Sequence, residues 1–287
     1  MIDLTNMSQV KPLLERHGFR FSKSLGQNFL IEPTVCPRIA QYGIDNENMG
    51  VIEIGTGIGT LTCQLAQRAK KVVTLEVDKK LYPIIDETLK DFNNITVLHQ
   101  DVMKTDLNQI IEEYFDGMDV CVCANLPYYI TSPILMYLLE SNINWKSITV
   151  MIQKEVADRL CADVGTKDSG AITLAVRYYG KAQKCFTVPG NCFMPPPKVS
   201  SSVIKIEMND DFRKDIKDDK LFFSVVKSGF AQRRKRLVNS VSSGGQVSKE
   251  EIISALEFLG IDENIRIEQL DEKTLKAFVN RLAEKRS

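Results

Sequence analysis

Five short runs rich in β-branched and other apolar residues, at 50–55, 71–78, 95–101, 119–127 and 147–154, recur along the chain with helix-like stretches between them. No other feature narrows the possible folds so far. A strand, a crossover helix and a second strand pack back on one another as a parallel unit, so a chain that repeats this unit builds a doubly wound sheet with helices on both faces. Two further runs, 181–188 and 200–208, are separated only by the loop 189–199, which predicts that the sheet finishes with an antiparallel pair, the last strand antiparallel to a mostly parallel sheet. After Met208 the strand pattern stops. The stretch 209–219 is polar and charged, and three helical segments are expected beyond it: 221–241, one opened by Ser248 with Glu251 three residues on as a capping box, and one from about Asp271. The expected organisation is an α/β domain with an N-terminal extension over 1–208 and a small all-α domain over 209–287.

Composition is ordinary for a globular chain. With 287 residues, 44% hydrophobic and 26% charged, collagen-like, disordered and disulfide-scaffold classes are excluded. No apolar run approaches the ~18 residues that a membrane span needs. The N-terminus MIDLTNMSQV has neither a basic region nor a continuous apolar stretch, so a cytoplasmic protein is expected. Seven cysteines occur without a C-x-x-C pair, and Cys121 and Cys123 alternate in an apolar run. They read as reduced core thiols, and no metal site is expected.

The run Val51-Ile-Glu-Ile-Gly55-Thr-Gly57-Ile-Gly59-Thr-Leu61 reads as strand, glycine loop and helix start, the place where an open, Rossmann-like sheet binds ligands beyond its strand ends. A dinucleotide loop has the spacing G-x-G-x-x-G, whereas here the third glycine arrives one residue early, which favours a nucleoside without a pyrophosphate. Gly55 and Gly57 are the close-approach positions. Glu76 comes 21 residues after Gly55, placed to accept from ribose hydroxyls, and Asp101 ends the third strand, where it can accept from an adenine amino group.

The fourth strand ends Ala124-Asn125-Leu126-Pro127-Tyr128-Tyr129. An exocyclic adenine amine is a poor nucleophile because its lone pair is delocalised into the ring, so methylating it requires acceptors that hold its N–H groups and turn the lone pair toward the donor. The Asn125 side-chain oxygen and the Leu126 carbonyl can serve. Pro127 fixes the turn, and Tyr128 offers a face on which an extruded base can stack.

Taken together, Leu25-Gly-Gln-Asn-Phe-Leu30, Glu53-Ile-Gly-Thr-Gly-Ile-Gly59, Asn125-Leu-Pro-Tyr-Tyr-Ile-Thr-Ser132, Gln153-Lys-Glu-Val-Ala157, Phe193-Met-Pro-Pro-Pro-Lys-Val199 and Phe230-Ala-Gln-Arg-Arg-Lys-Arg-Leu237 resemble the small-subunit ribosomal RNA adenine dimethyltransferases of the KsgA/RsmA type. The resemblance runs over nearly the whole chain. It implies a class I methyltransferase fold and S-adenosyl-L-methionine as donor, with Gln27, Asn28 and Leu30 near its methionine part, Gly55 and Glu76 on the cofactor and Asp101 on its adenine. It further implies Asn125 and Tyr128 at the target amine, Phe193 on the opposite face of the target base, and two adjacent adenosines near the 3′ end of small-subunit rRNA, each dimethylated at N6. Thr56 stands where the family commonly has Pro, Ser200 where Asp is common, and 165–170 is a looser match.

Lys+Arg and Asp+Glu balance at 37 each, yet between 220 and 249 there are seven basic residues and no acid. Lys227, Arg233, Arg234, Lys235 and Arg236 are the candidate RNA contacts, fanned around a helix whose Phe222, Val226, Phe230 and Leu237 face the core. Lys11, Arg16, Arg20 and Lys23 can extend that surface. His17 and His99 read as packing or surface residues. The expected partner is small-subunit rRNA in a partly assembled 30S particle, met by a monomer. Two alternatives stand: an Erm-type methylase acting on a large-subunit adenosine, and a non-catalytic RNA-binding assembly factor that keeps the fold.

Overall fold

The computed structural model describes residues 2–22 and 25–286; Lys23 lies outside them. Among the described residues nine strands run in chain order: β1 (Phe29–Leu30), β2 (Gly50–Ile54), β3 (Lys71–Leu75), β4 (Ile95–Leu98), β5 (Val120–Asn125), β6 (Ser147–Gln153), β7 (Gly180–Val188), β8 (Phe193–Met194) and β9 (Ser201–Met208). Seven of them form a sheet in the order β4-β3-β2-β5-β6-β9-β7. Neighbours from β4 to β6 pair in parallel, as the sequence pattern anticipates, and β9, set between β6 and β7, pairs with β6 antiparallel along Ser147–Gln153. All five residues of β2 are buried, which explains the unbroken apolar character of a strand covered on both faces.

The chain lays β2, β3 and β4 outward in one direction, then returns to place β5 on the other side of β2. That reversal opens a crevice beyond the carboxyl ends of β2 and β5. The expected strands overshoot at these ends, because residues 76–78, 99–101 and 126–127 have already left the strands. They still follow the ladder: Gly55 N–H donates to the Leu75 carbonyl at 2.8 Å and Glu76 N–H to the Leu98 carbonyl at 3.0 Å. The N-terminal helix Met7–Arg16, capped by the Asn6 side chain, buries Val10, Leu13 and Leu14. They share a cluster with Ile58, Ile84, Ile85 and Phe29.

The chain divides into two compact units, one up to Ala157 together with Gln183–Met208, the other Asp158–Ala182 together with the residues from Asn209 onward. This differs from a single cut at 208. The helix Ala171–Tyr179 supplies Leu174 and Tyr178 to the apolar cluster built by Phe212, Phe222, Leu237, Leu256 and Phe278, so 158–182 belongs with the helical unit. The capping box forms as expected, with Ser248 N–H donating to Glu251 Oε2 at 2.7 Å and Glu251 N–H to Ser248 Oγ at 3.1 Å, and Asp271 caps Glu272–Glu284. The expected helix 221–241 is two helices, Asp219–Ala231 and Leu237–Ser242. Val226 and Leu237 both reach the core, so the apolar pattern carries across the break and hides it.

Candidate active site

The loop after β2 turns on three glycines of positive φ, Gly55 at 82°, Gly57 at 59° and Gly59 at 90°. At Gly59 a side chain is excluded twice over, since a Cβ there would also lie 2.8 Å from Leu89 Cδ2. Thr56 holds the loop through a 2.7 Å hydroxyl contact with Thr74 of β3.

Glu76 binds the loop from the other side. Its Oε2 accepts from Gly57 N–H at 2.9 Å, while Oε1 accepts from Val77 N–H at 3.0 Å and Asp78 N–H at 2.9 Å. Only 6% exposed, the carboxyl is pushed above its ordinary range by burial, against the pull of those three donors. Each carboxylate oxygen carries two lone pairs, so acceptor capacity remains toward the crevice. Asp101 follows β4, with Oδ1 accepting from Met103 N–H at 3.0 Å and Oδ2 4.0 Å from Lys104 Nζ; its side chain is 36% exposed. Gln27 is committed in both directions, Nε2 donating to Asp78 Oδ2 at 2.6 Å and Oε1 accepting from Ser22 N–H at 2.7 Å. Asn28 donates to the Gly26 carbonyl at 2.9 Å.

At the end of β5, Leu126 N–H donates to the Met151 carbonyl at 3.1 Å. The turn is closed by Ile130 N–H and the Thr131 hydroxyl, both donating to the Pro127 carbonyl, at 3.2 and 3.1 Å. Among the described residues the Asn125 side-chain amide has no hydrogen-bond partner, in a site where its neighbours are almost all engaged. The Tyr128 phenol lies 2.6 Å from Ser201 Oγ.

These groups share one open cleft of about 910 Å³, solvent-facing part included. Gln27, Asn28, Gly55, Gly57, Glu76, Asp101, Asn125, Leu126, Pro127 and Tyr128 all line it. Leu30 lies outside, in a smaller adjoining cavity with Asn28, Gly57 and Asn125. Phe193 is not among the residues that line this cleft: it pairs with Leu30 across β1 and β8 and is 3% exposed in a core cluster with Leu30 and Ile39. Gln100 and Val77 join the lining, although no motif in the sequence points to them, and so does Tyr129, which lies in the strand-end motif but was given no role. His17 faces Glu87 at 2.7 Å and His99 stacks on Tyr82 with ring centres 3.4 Å apart, so neither reaches the cleft.

Beneath the loop lies Glu53, an acid in the middle of a fully buried strand. Thr62 donates to its Oε2 at 2.6 Å, its Oε1 has no partner among the described residues, and burial pushes its pKa up to about 8. The charge that a lone acid brings to an apolar run was the available sequence signal. Nearby Cys63 is pushed up to about 12, by burial first and by Glu53 second.

In the helical unit the basic run is a turn between two helices. Arg233 is spent internally, on Glu268 at 2.6 Å and on the Lys167 carbonyl at 2.7 Å, and Arg236 donates to Asn264 at 3.3 Å. Arg234, Lys235 and, on the preceding helix, Lys227 are exposed and without a partner among the described residues.

The family model of ribosomal RNA adenine dimethylases matches residues 18–284. Ribosomal RNA small subunit methyltransferase A of Geobacillus kaustophilus is 47% identical over 285 residues, covering 98% of this chain and 97% of that protein. The protein of the same name from Anoxybacillus flavithermus is 46% identical over 272 residues, covering 93% and 92%. Among solved structures, a dimethyladenosine transferase from Plasmodium falciparum superposes with a TM-score of 0.73 at 25% identity, covering 90% of this chain and 98% of that one. The 23S rRNA methyltransferase ErmE shares the fold, with a TM-score of 0.67 at 22% identity over 89% of this chain and all of that one.

Proposed function

The chain belongs to the ribosomal RNA adenine dimethylase family, and on that premise we propose that it methylates N6 of two adjacent adenosines near the 3′ end of small-subunit rRNA through the cleft beyond β2 and β5. It is an rRNA adenine dimethyltransferase of small-subunit type, as its relatives at 46–47% identity are named. The observation that carries the site assignment is the unpartnered Asn125 amide, at a strand end, in one cleft with the glycine loop, Glu76 and Asp101.

The donor set fits S-adenosyl-L-methionine. Glu76 Oε2, with one donor on it, suits a ribose hydroxyl, Asp101 Oδ2 suits an adenine amine, and the loop needs no room for a pyrophosphate. When bound, the cofactor supplies an electrophilic sulfonium methyl whose leaving group needs no protonation. The chain's own work is therefore on the amine. Asn125 Oδ1 and the Leu126 carbonyl accept its two N–H groups, which favours the pyramidal nitrogen of the transition state over the planar ground state. Tyr128 holds the base by stacking, and the rigid Pro127 turn keeps the acceptors in place. The proton leaves to solvent through the open cleft.

Choice of substrate falls to a wider surface, to which Lys227, Arg234 and Lys235 bring exposed cations. We assign the reaction to the cytoplasm and to a monomer meeting a partly assembled 30S particle. Methyl transfer to such particles, measured beside naked large-subunit RNA, tests the reading. Preferential labelling of the large-subunit RNA would favour an Erm-type activity, and no labelling of either would favour a non-catalytic assembly factor.

A further inference from the structure

We infer that Ser201 is a positioning residue for methyl transfer: its buried hydroxyl pins the phenol of Tyr128 and thereby fixes the ring on which the target base stacks. The inference rests on the reaction proposed above.

Ser201 opens β9 and is 0% exposed. Its backbone is held where the antiparallel ladder ends, opposite Gln153. From there its Oγ lies 2.6 Å from the Tyr128 phenol. A tyrosine ring has two soft torsions, and one hydrogen bond at its far end restrains both. Tyr128 is half-buried and lines the cleft, so without that bond its ring is free to tilt beside the space a substrate base would occupy. The phenol is kept protonated by burial, which raises it above its ordinary value, so the contact is a neutral hydroxyl pair.

The stretch from Phe193 to Ser201 acquires a role that Phe193 alone does not have. At one end Phe193 is locked against Leu30 in β1. At the other Ser201 is locked in β9, and three successive prolines of restricted φ stand between them. Such a bracket holds the Ser201 hydroxyl against the Tyr128 phenol. Serine suits the position because it is the smallest side chain that carries a hydroxyl.

The test is steady-state methyl transfer to small-subunit particles by Ser201→Ala, Tyr128→Phe and the double variant, with cofactor affinity measured by calorimetry. Each single variant is expected to lower kcat about tenfold, the scale of one missing hydrogen bond combined with looser alignment. Cofactor affinity should stay within about twofold, and the double variant should be no slower than either single one, because both remove the same hydrogen bond. Tyr128→Phe keeps the ring and leaves β9 untouched, so it gives the answer even where Ser201→Ala impairs folding. Parental kcat in Tyr128→Phe would overturn the inference while leaving the proposed reaction intact, as would losses that multiply in the double variant. A parent that methylates no particle would overturn both.

Discussion

The strand-end cleft and the basic turn of the helical unit were both visible as motifs, yet the structure treats them differently. In the cleft the backbone fixes the side chains: Glu76, Asp101 and Asn125 each leave a strand or its immediate extension, and backbone donors hold the two carboxylates. In the turn, residues of like charge and adjacent number have divergent roles. Arg233 holds the unit together through Glu268, 35 residues further on, while Arg234 and Lys235 face solvent. Spacing along a strand end reports chemistry well because the sheet imposes the geometry. A charge run reports only composition, since distant residues decide which charges are already paired.

The largest effect expected from breaking the cleft is at Asn125. Asn125→Ala should cut methyl transfer by about 10²–10³-fold, as for other acceptors or donors that act mainly in the transition state, with cofactor affinity unchanged by calorimetry. A parental rate would remove Asn125 from the reaction. Glu76→Ala should come next, weakening cofactor binding by about 1.5–3 kcal/mol for each charged hydrogen bond removed. It also removes the acceptor for Gly57 N–H, so Glu76→Gln should recover part of the affinity by restoring one acceptor oxygen.

The turn is sharpened by separating its arginines. Arg234→Ala with Lys235→Ala should flatten the salt dependence of particle binding by about 0.7–0.9 log units for each phosphate no longer neutralised. Arg233→Ala should instead cost stability, by less than about 1 kcal/mol because its ion pair is partly solvated, with little change in salt slope. Equal slopes for all three substitutions would mean that Arg233 meets phosphate as its neighbours do.

A subtler effect concerns the acid beneath the loop. Glu53 holds its proton in the folded chain up to about pH 8, against an ordinary value of 4.5. Its contribution to stability is therefore complete below about 4.5 and is lost as the pH rises through 8. Thermal melts between pH 5 and about 8.5 should fall less steeply in Glu53→Gln, whose amide keeps an acceptor for Thr62 and cannot ionise. Parallel curves would mean that Glu53 titrates normally.

What the sequence made legible follows the same division. The parallel strands, the antiparallel β9, the glycine loop and the Ser248 box could be read because each is specified by residues a few positions apart. The two-residue strands β1 and β8 were too short for any periodicity to show, and their pairing is what buries Phe193. The break at 232–236 was masked by apolar residues that stay in phase across it, and the allegiance of 158–182 depends on where Leu174 and Tyr178 find their partners. Ser201 carried no local signal, since its meaning comes from a tyrosine 73 residues away.

Whether the cleft around Asn125 methylates adenosines of the small subunit is tested most directly by mass spectrometry of nuclease-digested rRNA, after unmethylated 30S precursor particles are incubated with the parent and with Asn125→Ala. The expected result is N6-dimethyladenosine at two adjacent positions near the 3′ end with the parent and none above background with the variant. Dimethyladenosine confined to large-subunit RNA, or equal product from both proteins, would contradict it.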